Sequence, residues 1–171
     1  MCPYYSWQRS HQVHHTFCNN LELGESNIPS VVSDDDINFQ LKKALGENLY
    51  GAYCIFCYYC LGWPVYLVTG VTGGQAYGKT NHFWPWNQGK KEMWPGKWKK
   101  KVFLSDIGIV VMLVILTYWA RATSITYVFL RYVLPWIVIN FFLVFYNLLT
   151  HTDVDIPYFD EDNWEHVKGS F

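Results

Sequence analysis

The chain has 171 residues, a formal net charge of −1 and only 16% charged side chains, against about 25% in a soluble domain. The near-zero charge argues against a nucleic-acid partner, which demands a strong basic balance. Five cysteines, an odd number, give no disulfide framework, and the opening residues lack the basic and apolar regions of a signal peptide. Aromatic residues make up 19%, with nine Trp, and apolar residues gather in long runs. Those runs point to a membrane.

Residues 7–20 read "WQRSHQVHHTFCNN" and hold His11, His14 and His15. On a helix, positions i, i+3 and i+4 share one face, so the three imidazoles can converge. Neutral imidazole is a ligand for Fe, Zn and Cu near physiological pH. The alternative is a solvated helix start that is merely His-rich. Arg9 beside them reads as an interfacial anchor.

Residues 21–48 are polar. Ser33, followed by Asp34, Asp35 and Asp36, suits the start of a short helix near 34–45, by capping and by charge complementarity. The acidic run lacks the spacing of a calcium loop. Residues 49–71, "LYGAYCIFCYYCLGWPVYLVTGV", are apolar but interrupted by Gly51, Gly62 and Pro64. This segment is expected to lie in the interface, or to dip into the bilayer and return. Its Cys54, Cys57 and Cys60 have no fourth thiolate nearby for an iron–sulfur cluster and read as packing residues. Between Lys90 and Lys101 six lysines alternate with Trp94 and Trp98, a composition suited to lipid headgroups on the cytosolic side.

Residues 102–120 and 127–150 are each near the roughly 20 residues that cross a hydrocarbon core. The short "RATSIT" link makes them a transmembrane hairpin, with Pro135 expected to kink the second helix. Asn140 and Asn147 should face protein, because bare amides are costly in lipid. His151 follows the last span directly. Two crossings then leave His11, His14, His15 and His151 on one face. The fold class is therefore all-α, an integral membrane helical protein, with a hairpin, interfacial helices and a cytosolic His-rich face.

In order along the chain, "SWQRSHQVHH", "LELGESNIP", "GWPVYLVTGVTGG" with "TNHF", "PGKWKKKVFLSDIG" and "HTDVDIPYFDEDNWEHVKGSF" closely resemble the membrane-bound fatty acid desaturases, nearest the fungal Δ12 (oleate) group with ω3 enzymes close behind. The resemblance covers nearly all of residues 1–171, read as one partial desaturase domain. It implies an enzyme of the endoplasmic reticulum membrane with a cytosolic di-iron centre. Such a centre uses O2 and electrons from cytochrome b5 to remove two hydrogens from a fatty acyl lipid.

By the same resemblance His11, His14 and His15 match the second of three histidine boxes, and His151 occupies the position of an extra ligand. The other two boxes of the family pattern are not within the chain, which reads as a central segment expected to be inactive alone. Glu22, Glu25, Asp153 and Asp155 are available to orient the imidazoles. His82 reads as structural, and His166 as a surface residue near Trp164. Shared blocks leave Δ12 desaturation, ω3 desaturation, hydroxylation and a non-catalytic remnant open.

Overall fold

The computed structural model describes residues 2–29, 36–87, 89–151, 153 and 155–170. Among these residues six α-helices follow one another: α1 (Tyr4–Thr16), α2 (Ile37–Thr69), α3 (Lys97–Ala122), α4 (Ile125–Val128), α5 (Leu134–His151) and α6 (His166–Gly169), with a π-helical stretch, Phe129–Val133, joining α4 to α5. Among the described residues there is no strand, only two isolated bridges, Asn20 with Phe159 and Thr80 with Asn87. The all-α membrane architecture expected from the sequence is the one observed.

α1 begins after Pro3, whose carbonyl accepts the Trp7 N–H at 3.0 Å and the Ser6 hydroxyl at 2.9 Å. Its buried face is Ser6, Ser10, Val13 and His14, and the two small serines let neighbouring elements approach the backbone. Tyr5 N–H donates to Ser105 Oγ on α3 at 2.8 Å, and Trp94 Nε1–H donates to the Ser6 carbonyl at 3.4 Å.

The expected cap at Ser33, Asp34 and Asp35 lies outside the described residues. Asp36 caps α2 itself, its Oδ1 accepting the Asn38 N–H at 2.7 Å. Gly46, at φ 76°, breaks the helical path, a conformation that glycine tolerates without steric cost. Beyond it the helix runs unbroken to Thr69, straight through Gly51, Gly62 and Pro64, and ends at Gly70 in the left-handed region. The interruptions that marked 49–71 as a broken interfacial segment therefore do not stop the helix. Each interior glycine costs about 1 kcal/mol and one proline removes a single N–H bond. In apolar surroundings the remaining backbone has no better partner than itself.

Among the described residues three helices are long and apolar enough to cross a membrane: α2, with mean hydropathy 1.3, α3, with 2.2, and the Ile125–His151 run, with 2.0. The second and third match the expected hairpin. Pro135 has no N–H for the carbonyl four residues back, and the helix widens into its π-helical stretch just ahead of that residue. Side chains such as Ile107, Val111, Val114, Phe142 and Leu149 are exposed along α3 and α5, as lipid-facing positions are.

The packed core sits at one end of these helices. Val13 of α1 meets Tyr77, Met93, Trp94 and Val102, with Phe17 and Trp98 against them. Trp94 is thus a core residue and not a headgroup anchor, because the chain folds back on α1 here and Arg9 Nε–H holds the Met93 carbonyl at 3.3 Å. Arg9 braces this turn of the core. Trp98 stays near the surface, with the Lys101 ammonium 4.2 Å from its ring centre.

The segment after α5 returns to the loop after α1. Leu21 N–H donates to the Phe159 carbonyl at 3.0 Å, Phe159 N–H to Asn19 at 2.9 Å, and Trp164 Nε1–H to the Cys18 carbonyl at 2.8 Å. This strap fastens the end of α5 beside α1.

Candidate metal centre

α1 carries His11, His14 and His15 on adjoining positions of one helix, and the strap brings His151 to them from the far end of the chain. The ring centres of His11 and His15 are 4.5 Å apart, those of His14 and His15 5.3 Å, and those of His14 and His151 4.9 Å. The structure therefore gathers all four histidines singled out in the sequence. His151 is tied in by Tyr158, whose hydroxyl donates within 3.2 Å of the His151 and Asn27 carbonyls.

The Nε2 atoms of His11 and His15 are 3.1 Å apart. Two imidazole nitrogens each about 2.1 Å from one ion and at right angles across it have this separation, so the pair fits two neighbouring coordination positions. It equally fits a hydrogen bond between the rings. Among the described residues no group of three His, Cys, Asp or Glu side chains is in a metal-holding arrangement. The donor chemistry and the pairing fit a metal; a complete ligand set is not assembled.

His14 is the buried member, 8% exposed. Its Nδ1–H donates to the Glu25 carbonyl at 2.7 Å, with Ser26 Oγ at 3.3 Å. That bond fixes the tautomer and leaves the Nε2 lone pair free, the arrangement in which imidazole binds metals. Burial holds His14 at about 4; the Glu25 bond opposes this, while His151, His15 and His11 add to the depression. His11 is lowered too, first by burial and then by His15. Both rings are therefore neutral, ligand-competent imidazoles.

Of the four acids considered as orienting groups, Glu25 is the one that holds a histidine, and it does so through its backbone. Its carboxyl is fully buried, with Oε2 accepting the Tyr66 hydroxyl at 2.7 Å and Oε1 left without a partner. Burial pushes this carboxyl up to about 7, against the pull of Tyr66. Asp153 and Asp155 are exposed and engage each other, Asp155 N–H to Asp153 Oδ1 at 3.0 Å; Glu22 is also exposed. A backbone carbonyl leaves no signature in composition or spacing, which is why only the structure reveals this partner.

His82 lies apart from the four, with no exposed surface, its Nε2 3.0 Å from Ser10 Oγ. His166 is exposed, 6.2 Å from the Trp164 ring. Asn147 lines the cavity beside the histidines and donates to the Leu143 carbonyl at 2.9 Å, and Asn140 faces α2.

Over 99% of its length the chain is 29% identical to a Δ12 fatty acid desaturase of Arabidopsis thaliana and 29% identical to an ω-6 fatty acid desaturase, endoplasmic reticulum, of Brassica juncea. It is 27% identical to an oleate hydroxylase of Claviceps purpurea, again over 99% of the chain. The curated relatives are fatty acid desaturases and a hydroxylase of the same kind. Desaturases are oxidoreductases. The chain spans 43% of the two desaturases and 39% of the hydroxylase. No family model and no solved structure matches it.

Proposed function

We propose that this chain is the part of a di-iron, O2-dependent fatty acid desaturase that supplies His11, His14, His15 and His151 as metal ligands, introducing a double bond at the Δ12 position of an acyl lipid. The observation that carries the reading is the meeting of His151 with His14, across 137 positions of sequence, at a ring separation of 4.9 Å. Four imidazoles hold a transition metal without adding negative charge. Bound iron would supply the O2 chemistry that removes two hydrogens from an unactivated chain. The protein's own part is to hold the rings, fix the His14 tautomer through Glu25, and present an apolar cavity next to them.

The membrane helices suit a lipid substrate. The name of the Brassica juncea relative supports an endoplasmic reticulum location; to this we add, as part of the same proposal, cytosolic histidines and cytochrome b5 as the electron donor. Hydroxylation is the second reading, favoured by the hydroxylase among the relatives.

In a full-length parent carrying this segment, His14→Ala or His151→Ala should abolish new double bonds and lower the metal content, while His166→Ala changes neither. Lipid analysis of an expressing host and elemental analysis of the purified protein read the two effects. A fully active, metal-replete His14→Ala protein would remove the ligand assignment. A hydroxylated product in place of a diene would select the second reading.

A further inference from the structure

Beside the histidines lies a cavity of about 140 Å³, largely apolar, with His11 and His14 on one wall. α2 contributes Tyr58, Gly62 and Trp63 to it, and α5 contributes Leu143 and Val144. Further along the same two helices a groove of about 810 Å³ runs between Ile55, Phe56 and Tyr59 on one side and Trp136, Ile137 and Phe141 on the other. Trp63 borders both spaces. The groove lies between two of the helices apolar enough for a bilayer. The two spaces adjoin at Trp63, between the same two helices.

On the α2 wall of the cavity, Gly62 presents no side chain. A Cβ built on Gly62 would meet only the ring of Tyr58, at 3.7 Å, which is ordinary contact. A larger group at 62 therefore starts in open space and grows into the cavity. Cavities of about 150 Å³ admit a benzene-sized group, so the space takes about six carbons, and one aromatic side chain fills it.

We propose that Gly62 is a specificity-determining residue: by leaving this space empty it sets how far a lipid acyl chain extends past the histidines. The inference rests on the proposed acyl substrate, but the seat exists whether or not metal is bound. Its occupant is an unbranched hydrocarbon chain, since the lining is largely apolar, the adjoining groove lies between lipid-facing helices, and the cavity is too small for a fused ring system.

Photolabelling tests it. The chain, in phosphatidylcholine nanodiscs, is irradiated with a phosphatidylcholine bearing a diazirine on one acyl chain, and labelled residues are mapped by mass spectrometry. Label is expected on Tyr58, Leu143 or Val144 as well as on the groove residues Ile137 and Phe141. Gly62→Phe should lower the cavity label about tenfold and leave the groove label unchanged. Gly62→Ala should keep both, and Gly62→Val should fall between. No cavity label in the unaltered chain, or cavity label undiminished in Gly62→Val and Gly62→Phe, overturns the proposal. Labelling requires neither iron nor O2, so a failed desaturase assignment and a failed chain seat give different results.

Discussion

His82 packs between α1 and α2 with no exposed surface, and only its Nε2 has a partner; Nδ1 is buried without one. Burial depresses it from 6.5 to about 4, with the Leu67 backbone opposing. Between those values only the unfolded chain takes up the proton, so stability held above pH 6.5 is lost as pH falls towards 4. The full loss is on the order of 3 kcal/mol for a group so buried. His82→Gln keeps a partner for Ser10 and cannot titrate. The melting temperature of the unaltered protein in detergent should fall faster between pH 7 and pH 5 than that of His82→Gln, and parallel curves would contradict the buried neutral assignment. Tyr66 gives a second residue-scale expectation. Its hydroxyl reaches Glu25 Oε2 at 2.7 Å while Oε1 is already unpaired. Tyr66→Phe therefore leaves both carboxyl oxygens without a donor, at a cost of about 1–3 kcal/mol, read as a lower melting temperature at neutral pH. The histidine spacing on α1 is plain in the sequence because it follows helical geometry. Glu25 is not, since the group that holds His14 is a carbonyl that every residue possesses.

Among the elements, the hairpin was legible and α2 was not. α3 and α5 announce themselves by unbroken apolar length, whereas α2 continues through Pro64 because its neighbours offer the freed backbone no alternative. The lysine-rich stretch misled for another reason: its charges belong at a membrane surface, but Met93 and Trp94 within it are fully buried against α1. His14 meeting His151 bears on the parity of the crossings, because two points on one face are joined by an even number of spans. α3 and the Ile125–His151 run supply two. A crossing by α2 would require another between Asn27 and Gly46, carrying Asp36, Lys42 and Lys43 through hydrocarbon, each at about 2.5–3.5 kcal/mol. α2 instead enters the bilayer beside α5, where Ile55 and Phe56 share a groove with Trp136 and Ile137. Single cysteines at 15, 95 and 151 should react with an impermeant maleimide from the cytosolic side of microsomes, and a cysteine at 123 only from the lumen. Lumenal labelling at 95 would reverse this topology.

At the scale of the molecule, packing is concentrated at one end. Long helices with exposed apolar flanks converge on a small core, and the strap from Phe159 to Gly169 closes over α1. That closure pairs residues some 140 positions apart and has no local sequence signal: the count of crossings placed His151 on the same face, and only the resemblance made it a ligand. The division of labour predicts how the isolated chain behaves. Insertion needs only apolar helices with satisfied backbones, and α3 with α5 provides them. Metal chemistry needs donors: four imidazoles suffice for one four-coordinate ion, while a di-iron centre requires more. The chain purified from membranes should therefore carry about one divalent ion or fewer, with Zn2+ competing for the position according to availability. Expressed in a yeast without Δ12 activity it should yield membrane-integrated protein and no linoleate, whereas a full-length parent restores linoleate together with a second metal ion. Linoleate from the chain alone, with two irons bound, would show that these four histidines are joined by ligands not recognised among the described residues.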